Sequence, residues 1–85
     1  MLRYKISFDI TRSWWVIYDR TLFAECAITE EDGTVRPLRW AVPNGDVHAP
    51  EGERALKQAT AWLKHCYRTW GAVPTVEARH PANIV

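Results

Sequence analysis

Apolar and polar residues alternate without interruption over positions 2–11 of the chain. A period of two places the apolar residues on one face of a β-strand and the polar residues on the other. The pattern therefore predicts a strand over residues 2–10 with one buried face, followed by a short turn at residues 11–13. The apolar positions of this strand are Leu2, Tyr4, Ile6, Phe8 and Ile10.

Residues 14–29 continue with aromatic and β-branched positions, which favour strand structure. The polar residues 19–21 interrupt this run, so one long bent strand and two short strands are both compatible with the pattern. A hairpin loop is predicted at residues 30–33, where Gly33 supplies the positive φ that such loops require.

Residues 34–42 are predicted to pair back as a further strand, with Leu38, Trp40 and Val42 facing inward. Pro37 has no N–H to donate, so this strand is expected at an edge of the sheet or with a bulge at that point. The Pro-Asn-Gly-Asp segment at residues 43–46 then ends the strand as a turn.

A helix is predicted from Pro50 to Trp70. Proline is tolerated at the first helical position, Glu51 and Glu53 complement the positive end of the helix, and Gly71 is a suitable cap beyond it. Apolar residues at spacings of three and four form one stripe along this helix. They are Leu56, Ala59, Leu63, Cys66 and Trp70, flanked by Ala55, Trp62 and Tyr67.

Together these elements predict a single α+β domain over residues 1–85, in the order β-β-β-α. An antiparallel sheet of three strands at about 2–43 packs against one long C-terminal helix at about 50–70. The tail, residues 72–85, is expected to be irregular or to add a fourth strand at residues 75–78. One helix covers one face of such a sheet, so the opposite face is expected to be open.

Five tryptophans in 85 residues are more indole than a domain of this size can easily bury. Trp14 and Trp15 are adjacent, so on a strand they point to opposite faces and only one of them enters the core under the helix. Because aromatic residues are enriched where proteins hold their partners, we expect at least one indole in a contact surface.

The two cysteines, Cys26 and Cys66, are too few for a disulfide framework, and both are expected to be reduced and buried. The N-terminal residues do not resemble a signal peptide, and no apolar run approaches the roughly 20 residues that a membrane span needs. These features favour a cytoplasmic protein without a membrane partner.

The residues that could carry chemistry form no recognisable motif. Histidines and cysteines do not occur at zinc-binding spacings, and Gly45 and Gly52 are isolated rather than part of a phosphate-binding loop. A domain of one helix and one small sheet also has little room for a substrate cleft. The sequence therefore predicts a protein that is not an enzyme and that has neither a cofactor nor a metal site.

Excess aromatic residues without a chemical motif favour a non-catalytic protein–protein interaction module, acting as a small adaptor or inhibitor. It is expected to bind a larger protein or complex and to act by steric occlusion, as would suit a phage or mobile-element accessory protein. The predicted partner-binding residues, on the open sheet face and the helix edge, are Arg12, Trp15, Tyr18, Arg39 and Trp62.

Nucleic-acid binding is the alternative, because the helix carries four cations and no acid from Arg54 to Arg68. The net charge of +1 argues against it, since dedicated nucleic-acid binders are often clearly basic. Self-association as a homodimer, through the open face or the edge at Pro37, is a third expectation. The predicted nucleic-acid contacts are Arg3, Lys5, Arg12, Arg39, Arg54, Lys57, Lys64 and Arg68.

Overall fold

The computed structural model describes residues 2–75, in which six short strands precede one long helix. Antiparallel pairing of the strands together with this helix makes the α+β fold that the sequence predicts. The elements are β1 (Tyr4–Asp9), β2 (Trp14–Asp19), β3 (Ala24–Glu25), β4 (Ala27–Thr29), β5 (Val35–Pro37), β6 (Arg39–Ala41), a short 3-10 turn (Pro43–Gly45) and α1 (Pro50–Trp70).

β1 and β2 form a regular antiparallel hairpin in which every residue of one strand has a partner on the other. Asp9 ends β1 and holds the turn, because its carboxylate accepts the N–H groups of Thr11 at 3.0 Å and Arg12 at 3.1 Å. Leu2 and Ile10 are both exposed, since they lie just beyond the ends of the strand. The expectation that they belong to the buried face is therefore wrong.

The other side of β2 is shared by two short strands, because β3 pairs with its end and β6 with its beginning. Between them the chain makes a separate β4–β5 hairpin. Cys26 is the branch point: its N–H donates to the carbonyl of Ile17 at 2.8 Å, and its own carbonyl accepts the N–H of Leu38 at 3.3 Å. The strand predicted over residues 34–42 is thus interrupted directly after Pro37.

β2 ends at Asp19, which is fully buried and turns the chain. Its carboxylate accepts the N–H groups of Thr21 at 2.8 Å and Leu22 at 3.2 Å. It also binds the guanidinium of Arg3 through two hydrogen bonds, of 3.0 and 2.9 Å. These bonds give the backbone a better set of partners than a continued strand would, so residues 14–29 form separate short strands.

The helix α1 begins at Pro50 and ends at Trp70, as predicted. Gly71 closes it in the left-handed conformation, with φ at 72° and its N–H donating to the carbonyl of Tyr67. The buried stripe is rotated from the predicted one, because Leu56 and Trp70 are exposed. The fully buried residues of the helix are Gly52, Ala55, Ala59 and Cys66.

The core lies between α1 and one face of the sheet. Ile17 of β2, Cys26 at the branch point and Cys66 of α1 are completely buried there, with Leu38 and Val73 beside them. No helix in the described part of the chain combines the length and the apolar character that a membrane crossing demands.

The fourth strand predicted at residues 75–78 falls largely outside the described residues. Thr75 itself makes an antiparallel bridge with Cys26, so the chain after the helix returns to the branch point of the sheet.

Candidate functional site

The pairing register assigns each residue of the sheet to one of its two faces. Residues directly opposite one another share a face, so Phe8, Trp15 and Trp40 lie together with Ile17 on the side that packs against α1. We call the side away from α1 the open face. Its residues are Lys5, Ser7, Asp9, Trp14, Val16, Tyr18, Glu25, Arg39 and Ala41.

Trp15 lies on the face that α1 covers, where its ring meets Phe8 edge-on at 5.2 Å between centroids. It does not share a surface with Tyr18 and Arg39, and this corrects the sequence expectation. Its neighbour Trp14 occupies the open face in its place. Alternation along a strand shows that the two indoles diverge, but only the register of the hairpin decides which one faces the helix.

Trp14 is covered on the open face by cations of the same domain. The guanidinium of Arg39 lies 4.2 Å from the ring centroid, and that of Arg12 lies 6.0 Å from it. Arg12 also pairs with Asp9 at 3.1 Å, and the backbone N–H of Arg12 is the main cause of the lowered pKa of Asp9. The charges of Arg12 and Asp9 are thus paired within the domain, and the ring of Trp14 is covered by two guanidinium groups.

A shallow depression of about 320 Å³ also lies on the open face. Its charges are mixed, since Lys5 stands beside Asp9 and Glu25, so it favours neither an anionic nor a cationic ligand. Tyr18, one of the predicted contact residues, lines this depression and is half-buried. The lining residues are Lys5, Ser7, Phe8, Asp9, Val16, Tyr18 and Glu25.

A second surface runs along the edge of α1, where the helix meets β5 and β6. Two cavities of about 490 and 160 Å³ share the half-buried rings of Trp40 and Trp62. We call these two cavities the helix-edge groove. Among residues 2–75, no acidic side chain lines it. The larger cavity is lined by Trp40, Gln58, Ala61, Trp62, His65 and Arg68, and the smaller by Arg36, Pro37, Leu38, Arg39, Trp40 and Trp62.

Three rings cluster at this edge of the helix. Trp62 lies 5.5 Å from His65 and 6.4 Å from Trp70, and His65 lies 5.6 Å from Trp70. The ring of Trp62 is half-buried, whereas His65 is exposed and Trp70 is 56% exposed. The residue patterns predict Trp62 as a contact residue, but they place Trp70 in the core and predict no role for His65. We call these three residues the aromatic triangle.

The indole N–H groups of Trp14, Trp15 and Trp62 are buried without an acceptor among the described residues. Leaving such a donor unpaired costs roughly 1–3 kcal/mol, so each ring must be held by other contacts. Trp62 differs from the other two because it lines the groove.

The predicted basic residues of the helix form an exposed stripe opposite its buried side. None of them makes an ion pair within residues 2–75. Arg68, at the C-terminal end, also lines the helix-edge groove. We call this stripe the basic ridge, and its members are Arg54, Lys57, Lys64 and Arg68.

The other predicted nucleic-acid contacts do not extend this ridge. Arg3 is held by two hydrogen bonds to the buried carboxylate of Asp19. Lys5 lies on the open face beside acidic residues, and Arg12 and Arg39 flank Trp14 there. The eight cations therefore do not come together as one surface.

The cysteines are poor candidates for chemistry, because burial raises the pKa of both thiols. That of Cys26 rises to about 11, with the hydroxyl of Thr75 3.3 Å from its sulfur. Burial also raises the pKa of Cys66. A thiol must lose its proton to act as a nucleophile or a metal ligand. Within residues 2–75, no three histidine, cysteine or acidic side chains converge as a metal site would require.

No protein-family model matches the chain, and neither a curated protein nor a solved structure shows a significant similarity to it. The functional argument therefore rests on the residues of the groove, the ridge and the open face.

Proposed function

We propose that this protein is a non-catalytic protein–protein interaction module, a small adaptor or inhibitor, that binds its partner at the helix-edge groove. One observation carries the proposal. Exposed rings of the aromatic triangle stand directly beside a groove that contains two half-buried tryptophans, so a large aromatic surface faces solvent. Aromatic residues that project from a rigid element are the usual anchors of protein interfaces.

The lining of the groove indicates what kind of partner segment fits it. Trp40 and Trp62 offer apolar surface, while Arg68 lies at its rim without an ion pair among the described residues. Because the described residues of the lining include no acid, a segment that combines a carboxylate with a bulky apolar side chain is complementary to it. The carboxylate would pair with Arg68, and the apolar side chain would pack on the indoles.

The proposal places the protein in the cytoplasm, with reduced cysteines, and its action is steric occlusion of a larger complex. A phage or mobile-element accessory role is one setting that its size would suit. Arg12, Tyr18 and Arg39 on the open face form a secondary contact region in this proposal. Arg12 and Tyr18 rank below the groove, because Arg12 already pairs with Asp9 and Tyr18 lines the depression of mixed charge, whereas Arg39 also lines the smaller cavity of the groove.

The experiment compares two identical charge reversals on the same helix. Arg68→Glu alters the groove, and Arg54→Glu alters the distant end of the basic ridge, 14 residues or about 21 Å away along the helix axis. Tagged protein is used to capture partners from its native host, with and without nuclease. We expect Arg68→Glu to reduce capture roughly tenfold or more, as for a hot-spot residue, and Arg54→Glu to leave it unchanged.

Equal loss of capture in both variants would contradict binding at the groove and indicate that the partner binds the whole basic ridge. Loss of capture after nuclease treatment would contradict a protein partner. Thermal melting of each variant checks that both remain folded, which we expect because both side chains are exposed.

Nucleic-acid binding is retained as a second candidate because of the basic ridge, which is exposed and makes no ion pair within residues 2–75. A row of four cations could follow a phosphate backbone. Its test is binding of single- and double-stranded DNA and RNA at low salt. If nucleic acid is the ligand, affinity falls steeply as salt rises, and Arg54→Glu weakens binding as much as Arg68→Glu. No binding at low salt removes this candidate.

A further inference from the structure

The outer edge of β1 differs from the opposite edge of the sheet. β1 is six residues long and regular, contains no proline, and pairs with β2 along its whole length. The opposite edge is broken into short strands at Cys26 and Leu38 and contains Pro37. Short strands, bulges and proline protect a sheet edge from pairing with another chain, and β1 has none of these features.

Hydrogen bonds of the hairpin show which groups β1 presents outward. The N–H of Arg20 donates to the carbonyl of Arg3 at 2.8 Å, which marks these two residues as a hydrogen-bonded pair. Such pairs alternate along an antiparallel ladder. It follows that Tyr4, Ile6 and Phe8 direct their backbone N–H and carbonyl groups away from β2. Within residues 2–75, no other strand pairs with this edge.

We propose that β1 pairs antiparallel with β1 of a second copy of this chain, with Ser7 opposite Ser7 on the two-fold axis. The two sheets then form one continuous sheet, with both helices on the same face. The inference is independent of the proposed function, because the helix-edge groove lies at β6, on the edge of the sheet opposite β1.

Charge complementarity selects this register among those that join the outward backbone groups. With Ser7 at the centre, Lys5 of each copy stands opposite Asp9 of the other, which gives two oppositely charged pairs. A register centred on Lys5 would oppose two like charges. One centred on Ile6 would place Lys5 opposite Ser7, and Arg3 opposite Asp9, but the guanidinium of Arg3 is already held by two hydrogen bonds to Asp19. The Oδ1 atom of Asp9 already accepts the N–H groups of Thr11 and Arg12, but its Oδ2 accepts only the guanidinium of Arg12 among the described residues and can take a second donor.

Apolar contacts on the helix side of the sheet support the same register. Ile6 of one copy lies opposite Phe8 of the other, and both side chains are only half-buried in the single chain. Cross-strand pairs of an aromatic with a β-branched residue stabilise antiparallel sheets. Pairing therefore buries apolar surface that one copy leaves in contact with solvent.

The test is a single cysteine placed on the proposed axis. In Ser7→Cys the two sulfurs face each other across a non-hydrogen-bonded pair, where the Cα atoms are about 4.5 Å apart and a disulfide can form. The native Cys26 and Cys66 are completely buried and do not compete. Lys5→Cys is the matched control, because in this register its two sulfurs lie four residues apart along the strands, about 13 Å.

We expect Ser7→Cys to form a covalent dimer under mild oxidation at least about tenfold faster than Lys5→Cys, since only the former meets the geometry of a disulfide. Equal or slower cross-linking of Ser7→Cys would overturn the proposal.

Sedimentation of the unmodified protein gives an independent readout. We expect a monomer–dimer equilibrium that Ser7→Lys shifts to monomer, because two like charges would meet on the axis, and that Ser7→Thr preserves. A protein that stays monomeric at every concentration, or a dimer that Ser7→Lys leaves intact, would overturn the proposal. Circular dichroism confirms that each variant is folded.

Discussion

The open face of the sheet and the helix-edge groove both combine tryptophan with arginine, but they use these residues differently. On the open face, Trp14 lies under the guanidinium groups of Arg39 and Arg12, and Arg12 also pairs with Asp9. Beside the groove, Trp70 is largely exposed, and Arg68 in the groove lining has no ion pair within residues 2–75. The cations of the open face are already in contact with Trp14 or Asp9 of the same domain, whereas the groups at the groove are available to a partner.

The difference teaches that composition alone does not locate a binding surface. A tryptophan and an arginine that contact each other stabilise the fold. An exposed tryptophan and an arginine without an ion pair can instead bind another molecule. We therefore expect substitutions on the open face to change stability and substitutions in the groove to change binding.

The largest expected contrast in stability is between Trp14→Ala and Trp70→Ala. Trp14 is half-buried and held by two cations, so its removal should lower the free energy of unfolding by about 2–3 kcal/mol, somewhat less than for a fully buried tryptophan. Trp70→Ala should cost less than about 1 kcal/mol, because most of its surface is already in water. Urea unfolding measures both, and equal losses would erase the distinction between the two surfaces.

The ion pair between Arg3 and Asp19 predicts the effect of Asp19→Asn. Burial alone raises the pKa of Asp19, but the hydrogen bond from Arg3 and the N–H groups of Leu22 and Thr21 outweigh it, so its pKa in the fold is lowered. The substitution replaces an acceptor of these bonds with a donor. We expect a loss of about 2 kcal/mol at neutral pH, the magnitude for hydrogen bonds to a charged group.

The sign of the pH dependence follows from the lowered pKa. Asp19 contributes its full stabilisation above the unfolded pKa of about 4, and the contribution disappears as the pH falls through the folded pKa. The difference in stability between the wild-type protein and Asp19→Asn should therefore shrink on acidification below about pH 4. A difference that stays constant, measured by urea unfolding across this range, would show that the charge of Asp19 is not what stabilises the turn.

A smaller effect is expected from Arg39→Gln, which removes the guanidinium over Trp14. Cation–π contacts at partly exposed sites are worth about 0.5–1 kcal/mol, so the unfolding free energy should fall by that amount. Arg36→Gln is the control, because Arg36 pairs only with the exposed Glu30 and should have a smaller effect. If both variants behave alike in urea unfolding, Trp14 is not held by its arginine.

Residue patterns correctly predict the helix from Pro50 to Trp70, because its periodicity, its first-turn acids and its glycine cap all agree. They also predict the first strand, the turn that follows it and the loop at Gly33, where φ is 89°. They do not predict where the second strand ends. That position depends on Arg3, 16 residues away, which binds Asp19 and so helps to stabilise the turn that follows.

The candidate site was harder to predict than the fold. Trp62 and Arg39 appear in the sequence expectation and both line the groove. Trp40 packs against the core as predicted and also lines the groove. The prediction that Trp70 belongs to the core stripe is wrong, because helical spacing gives the direction of a side chain only to within about a third of a turn. The small residues Ala55 and Ala59 are buried on α1 whereas Leu56 is exposed, a rotation of the apolar stripe that the spacing alone does not reveal.

Hydroxyl-radical footprinting of the captured complex tests the central claim most directly, because it reports the exposure of individual aromatic side chains. We predict that partner binding protects Trp70 and His65, which are exposed in the free protein, and leaves Tyr18 on the open face unchanged. Protection of Tyr18 with Trp70 and His65 still fully reactive would contradict the account and place the interface on the open face.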